Sequence, residues 1–417
     1  MSVIQYYSFS FFLSTCVFSF FLLCYNCTMG NESYGVLLSN NYFIFDSLSF
    51  YLISLVIILG AYSLLFFSSY LEFATIYFLI LSLVFSVIAF CINHSILFWC
   101  FYELSMLPLL YLIFCYSPYS ERFLAGWYFV CYILVTSLPL LLIIIYLSAV
   151  NESLFFSEWS QCNASLWLFI ILMFIFFTKV PLAPFHTWLP IVHAEATSIV
   201  SIFLSGYIMK LGILGVYRCC YFLFNNYLVV YLFFCCIISI FFFITAANEL
   251  DGKRWLAFLS LSHIVVPFLS FFVSDWSTIN FSFLYCLGHG ISAGLVFGLL
   301  WYLYELSNSR SWVLLKSSIG SKIIMIVTIL SLLSLCSFPT TIQFFCEVSL
   351  IKFSVGYYLY ILFWCFYLFF GGLVPLILCG HVLIRSEWSE SLNNDSYSYL
   401  NFLIVLCLWC YLGFFLL

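Results

Sequence analysis

The sequence predicts an all-α, polytopic transmembrane helical bundle, and three observations carry that prediction. Hydrophobic residues make up 66% of the 417-residue chain and charged residues only 6%, against roughly 25% charged in an average soluble domain. Apolar stretches of about 20 residues recur from end to end, each long enough to cross a hydrocarbon layer of roughly 30 Å. They are continuous, without the period-two alternation of a membrane barrel, so helices are the form that satisfies backbone amides inside lipid. The slightly acidic balance, 11 Lys and Arg against 16 Asp and Glu, offers no basic face for nucleic acid. No polar stretch is long enough for a soluble enzymatic domain.

Apolar runs between polar breaks divide the chain into about 13 spans. The first, 8 to 24, lacks a basic leader and an Ala-x-Ala-like exit and reads as a retained helix. With the loop after it, it forms an N-terminal unit, 1 to 41. There Cys24 and Cys27 make a lone CxxC with no second pair at zinc-ligand spacing, and the sequon at Asn31, like that at Asn163, is a motif common by chance. The main unit, 42 to 417, opens with runs at 42 to 68, 74 to 92 and 95 to 116, the last holding Glu103. Runs at 124 to 148, 164 to 190 and 196 to 217 follow, with Lys179 in the second of these and Lys210 in the third. The remainder are 226 to 246, 254 to 274 with His263, 278 to 306 with His289, 322 to 353 with Glu347, 355 to 384, and 397 to 417. The 19 cysteines are scattered within these runs and read as small core hydrophobes. The abundance of Phe (53) and Tyr (31) beside them suggests a T-rich coding strand, as in an organelle genome.

Loops after runs 4, 8, 10 and 12 carry Arg122, Lys253, Arg254, Arg310, Lys316, Lys322 and Arg385, whereas loops after odd-numbered runs carry only Arg218. The positive-inside rule then places the N-terminus inside and, with 13 spans, the C-terminus outside. Runs 3 to 7 (74 to 217) and 8 to 12 (226 to 384) make two blocks of five, and an odd number starts the second block from the opposite side. That is the arithmetic of an inverted repeat. The fourth run of each block contains proline, Pro181 and Pro184 in one and Pro339 in the other, so each block is expected to hold a broken helix, a pointer to a transport path.

Ionisable groups inside apolar runs cost roughly 2.5 to 3.5 kcal/mol each at the bilayer centre, and six stand out: Glu103, Lys179, Lys210, His263, His289 and Glu347. Lys179 lies two residues before Pro181. A lysine in apolar surroundings keeps or releases its proton according to how near a carboxylate lies, so movement of Glu103 would load or unload it. The functional reading is a lateral proton relay; the structural alternative is a set of buried pairs and hydrogen-bonded histidines that fix helix packing. Arg254 suits interfacial anchoring, Lys253 is left open, and Lys352 reads as a snorkelling side chain. His186, His193 and Glu195 flank Trp188-Leu-Pro190 and fit either capping or a proton uptake route; their spacing is not that of a zinc protease. No Walker loop, Gly-rich dinucleotide turn or iron-sulfur cysteine cluster is present.

The segment Lys179-Val-Pro-Leu-Ala-Pro-Phe-His-Thr-Trp-Leu-Pro-Ile-Val-His-Ala-Glu-Ala196, followed by Lys210-Leu-Gly-Ile-Leu-Gly-Val-Tyr-Arg218, resembles the signature of the antiporter-like subunits of respiratory NADH:ubiquinone oxidoreductase. The His193-Ala-Glu-Ala196 ending is similar to the subunit 4 type of the mitochondrial enzyme, more than to the subunit 2 or 5 types. Asp251 to His263, Gly288-His-Gly-Ile-Ser292, Tyr304 to Arg310, Pro339-Thr-Thr-Ile and Cys346-Glu-Val-Ser349 add to it, as does Ala125 through Pro139. The resemblance implies a 14-helix subunit of the mitochondrial inner membrane that translocates protons, with the N-terminus on the matrix side by the charge count. Glu103 would be the acidic partner, Lys179 the pumping lysine and Lys210 the bridging lysine. His263 and His289 would continue the hydrophilic axis, and Glu347 would hold the site at the second broken helix. No cofactor is implied in this chain; NADH, flavin, iron-sulfur clusters and ubiquinone belong to partner subunits. Its partners would be other membrane-arm subunits, antiporter-like ones among them, and lipid such as cardiolipin. The region before residue 42 holds one apolar run where the family has two. A subunit of a multisubunit sodium/proton antiporter, or a structural membrane scaffold, are the alternatives.

Overall fold

The computed structural model describes residues 36–159, 164–273, 275–319, 322–384 and 396–413. The first expected span, the Cys24/Cys27 pair, Asn31, Asn163 and Arg385 lie outside these residues. A small antiparallel hairpin, β1 (Val36–Ser39) with β2 (Ile44–Asp46), comes first. The expected run from 42 therefore begins as strand: Asn40 and Asn41 supply the turn, with the Asn40 amide bonded to the Phe43 carbonyl at 2.8 Å. Asp46 then starts the first helix through a capping box with Ser49, both bonds 2.8 Å.

The runs from 42 onward appear as helices: α1 (Ser47–Phe67), α2 (Phe73–Cys91), α3 (Ser95–Tyr116), α4 (Arg122–Val150), α5 (Leu166–Lys179), α6 (Trp188–Glu195), α7 (Ser198–Cys220), α8 (Val229–Asn248), α9 (Gly252–Val273), α10 (Trp276–Ser307), α11 (Lys322–Leu335), α12 (Ile342–Ser354), α13 (Tyr358–Leu383) and α14 (Ser396–Leu412). Among the described residues nine of these are long and apolar enough to cross a membrane. Two expected runs are interrupted at their prolines. Residues 180–187 separate α5 from α6, and residues 336–341 separate α11 from α12, with Ser337 and Thr340 at positive φ, 50° and 91°. Pro108, Pro139 and Pro375 stay inside α3, α4 and α13, which continue through them.

Helix α10, 32 residues long, is the central post and packs against α1, α7, α9, α11, α12 and α14. It and α7 are buried throughout their membrane-length windows, whereas α2, α4, α8 and α13 turn much of their surface outward. That outward surface is apolar: Trp167, Val230 and Tyr358 are 73%, 82% and 88% exposed. Large hydrophobes on the outside and serines, lysines and histidines inside invert the soluble pattern, as lipid solvent requires.

Candidate functional site

All six candidate residues are at most 9% exposed, so each is held by the fold and not by solvent. Lys179 is the last residue of α5, where Pro181 stops the helix; its amine forms an ion pair with Glu103 on α3 and lies 4.3 Å above the Tyr102 ring. The broken segment is pinned by aromatic donors. Trp188 Nε1 donates to the Thr178 carbonyl at 3.0 Å, the Tyr231 hydroxyl to the Ala183 carbonyl at 2.6 Å, and Tyr132 and Thr187 share a hydrogen bond of 3.0 Å. Carbonyls freed by the break therefore have partners, the condition for irregular backbone at membrane depth. Helix α7 comes hard against this break at Gly212, where any Cβ would meet Val180 Cγ2 at 2.3 Å.

Lys210 lies two residues after a π-helical segment, Leu204–Ile208, and its amine donates to the Ser205 carbonyl at 2.5 Å. Tyr207, in the same segment, shares a 2.8 Å bond with Ser82, which donates to the Ser105 carbonyl on the helix of Glu103.

The second half is a hydrogen-bonded knot. His263 sits at a helical interruption within α9, where Pro267 lacks the amide that would bond the His263 carbonyl. Its Nδ1 is 2.5 Å from the Tyr367 hydroxyl and 3.2 Å from that of Tyr285, and the two hydroxyls are 3.0 Å apart. Glu347 Oε1 accepts from Ser337 at 2.8 Å, Gln343 at 3.3 Å and Tyr367 at 3.4 Å. His289 has its ring 5.3 Å from that of His263. Both His289 nitrogens, His263 Nε2, Tyr102 Oη and Glu103 Oε2 have no protein hydrogen-bond partner among the described residues.

Tyr285, Tyr367, Gln343, Ser337 and Tyr102 are site residues that the sequence reading missed. Tyrosine is too common in this chain to signal anything, but Gln343, one helical turn before Glu347, was a usable clue. At one end of the bundle, Lys253 is 4% exposed, donating to the Ala196 carbonyl at 2.8 Å and to the Tyr119 hydroxyl at 3.3 Å, while Arg254 is exposed. Arg310 bridges Glu195 at 3.6 Å and Asp251 at 3.5 Å. Tyr119 lies in the loop after α3, where burial pushes its hydroxyl above the ordinary tyrosine range and keeps it a donor. His193 is buried against the Phe297 ring at 5.0 Å, His186 lies 4.6 Å from the Phe242 ring, and Lys352 is exposed. Among the described residues no group of three or more His, Cys, Asp or Glu is placed to hold a metal ion.

Fold and site together define a multi-pass membrane protein with charged and hydrogen-bonding groups buried among its helices. Residues 92–373, more than half the chain, match the family described as NADH:quinone oxidoreductase/Mrp antiporter, transmembrane, and the chain belongs to that family. Relatives named NADH-ubiquinone oxidoreductase chain 4 include those of Locusta migratoria (31% identical, 54% of this chain and 51% of the relative), Rhipicephalus sanguineus (26%, 63% and 61%) and Ascaris suum (28%, 67% and 67%). The matches thus span about half to two thirds of those relatives. The fold is that of a chain in respiratory complex I from Thermus thermophilus (TM-score 0.77, 19% identity, 94% of this chain and 88% of that one). It is also that of a chain in the Mrp complex from Dietzia sp. DQ12-45-1b (TM-score 0.73, 18% identity, 93% and 78%).

Proposed function

We propose that this chain is a proton-translocating membrane-arm subunit of a respiratory NADH:ubiquinone oxidoreductase in the mitochondrial inner membrane, working beside other antiporter-like subunits. The observation that carries the reading is the Lys179–Glu103 ion pair at the break between α5 and α6. A charge pair this deep costs several kcal/mol of desolvation per ion, and placing it where a helix is broken gives it a segment that can move. Separation of the pair leaves Lys179 a buried cation without its counter-ion, which favours release of its proton; closure favours reloading. Lys210, His289 and His263 carry the proton onward and Glu347 receives it at the second break. The orphan nitrogens and oxygens along this line each cost about 1 to 3 kcal/mol if left unmade, so water is the natural bridge between them. The two blocks, 74 to 217 and 226 to 384, are read as inverted repeats, each contributing one broken helix. Names of the relatives, the Phe- and Tyr-rich composition and the His193-to-Ala196 ending support the respiratory mitochondrial assignment. Redox groups and quinone chemistry are assigned to partner subunits.

In the assembled complex, Lys179→Ala is expected to abolish coupled proton pumping, read as protons moved per quinone reduced; full pumping in an intact complex would refute the relay. A subunit of a multisubunit sodium/proton antiporter is the second reading, supported by the likeness to the Dietzia chain. Purification of the complex separates the two, since flavin and iron-sulfur subunits accompany the chain in the first case alone.

A further inference from the structure

The relay above names ionisable groups, yet His263 and Glu347 are joined by neither an ion pair nor a shared charge. Between them stands a tyrosine. Of the three side chains that donate to Glu347 Oε1, Tyr367 is the one that also touches His263, at 2.5 Å on the imidazole side and 3.4 Å on the carboxylate side. Tyr285 bonds to His263 at 3.2 Å and to Tyr367 at 3.0 Å, and Gln343 donates to Tyr285 at 3.3 Å. Both tyrosines are almost fully buried, 1% exposed each. Phenylalanine would fill the same space among Phe243, Phe363 and Trp364, which surround the Tyr367 ring, without burying a hydroxyl. The hydroxyls are therefore the informative part of these side chains.

We propose that Tyr367, with Tyr285 as a parallel partner, hands the proton between His263 and Glu347 through its own hydroxyl. The proposal rests on the proton-translocation reading and adds a working residue to it. A hydroxyl donates one hydrogen and accepts on its lone pairs, so it passes a proton without holding a charge. In the step, the His263 Nδ1–H bond breaks as a new O–H bond forms on Tyr367, while the original Tyr367 O–H breaks and its proton bonds to Glu347 Oε1. Imidazolium becomes neutral imidazole, carboxylate becomes carboxylic acid, and the tyrosine is unchanged apart from the exchanged hydrogen. Rotation of its C–O bond resets it. His263 suits the input role because Nε2 has no protein partner among the described residues and is open to reprotonation, with the His289 ring 5.3 Å away. The longer path, His263 to Tyr285 to Tyr367 to Glu347, uses the same chemistry twice. Gln343 is excluded as a carrier, because an amide N–H donates a hydrogen bond but does not exchange its proton on the same terms.

The test uses the assembled complex in membrane vesicles, measuring proton translocation against quinone reduction for Tyr367→Phe, Tyr367→Gln, Tyr285→Phe, Lys179→Ala and Glu347→Gln. Tyr367→Phe is expected to lower translocation by about tenfold or more, within what a positioned proton carrier contributes, and Tyr285→Phe by about twofold, since the direct path remains. Tyr367→Gln keeps polar contacts but no hydroxyl and is expected to fail like phenylalanine. Wild-type translocation in Tyr367→Gln would reduce Tyr367 to a positioning role and overturn the proposal. Normal translocation in Tyr367→Phe, with Lys179→Ala and Glu347→Gln inactive, would overturn it while leaving the proposed function standing. Normal translocation in Lys179→Ala and Glu347→Gln would remove both. If the Tyr367 variants fail to assemble, fluorotyrosine at position 367 keeps the ring and makes the hydroxyl more acidic. Its pH–rate profile is then expected to shift, and an unchanged profile would overturn the relay.

Discussion

The two broken helices of this chain solve one problem in opposite ways. At the first, between α5 and α6, opposite charges meet: Lys179 and Glu103 form an ion pair, and the freed carbonyls are taken by Trp188 and Tyr231. At the second, between α11 and α12, Glu347 has no basic partner among the described residues and is surrounded by the neutral donors Ser337, Gln343 and Tyr367. The first break bends at prolines; the second also uses left-handed backbone at Ser337 and Thr340. A charge pair responds strongly to a small separation because Coulomb energy in a poorly screened interior is steep. A ring of hydroxyl and amide donors holds either protonation state with little rearrangement. In the proposed relay, this difference assigns release to the first half and receipt to the second.

Neutralising each carboxylate in turn is the strongest way to break this contrast. Glu103→Gln strands Lys179 as an uncompensated buried cation and is expected to cost about 3 to 5 kcal/mol, whereas Glu347→Gln keeps an acceptor for its donors and is expected to cost about 1 kcal/mol. Thermal unfolding of the purified complex in detergent measures both, and equal losses would erase the distinction between charged and neutral halves.

The close approach of α7 to the first break gives a smaller effect. Gly212→Val must push Val180 aside, since even a Cβ lies 2.3 Å from its Cγ2; a loss of about 2 to 3 kcal/mol is expected, with proton translocation impaired. Gly372→Ala on α13 is the control, because among the described residues nothing beyond its own helix lies within 4 Å of its added Cβ, and it is expected to be neutral or slightly stabilising. If the two variants behaved alike, contact with α7 would not be what holds the Lys179 segment.

The smallest effect belongs to the second break. Thr340 is exposed, with φ at 91°, a conformation unfavourable for a β-branched residue. Thr340→Gly is expected to raise stability by about 1 kcal/mol, read as a higher unfolding midpoint. A loss would mean that Thr340 makes a contact worth more than its strain.

Much of this architecture was legible in one dimension. Apolar runs must become helices in lipid, where no other open form satisfies the backbone, so the runs from 42 onward were visible from hydropathy, as were both interruptions, because proline has no amide to give. The six buried ionisable residues were also visible, since a charge in an apolar run is costly enough to stand out. The hairpin at Val36–Ser39 and Ile44–Asp46 was less so: a strand so short has no period long enough to read, and its apolar residues merge with the helix behind it.

Partners were decided by tertiary structure alone. Glu103 and Lys179 are 76 residues apart in the chain, and nothing local says that they meet. Lys253 and Arg254 are adjacent and alike in composition, yet the helix turns one inward to the Ala196 carbonyl and leaves the other exposed. Tyr285 and Tyr367 look like any of the 31 tyrosines until α10 and α13 bring their hydroxyls against His263. Sequence by itself determined which groups had to be explained, because burial of charge has a local cost. Only the packed bundle decided which group answers which, because hydrogen bonds form between neighbours in space.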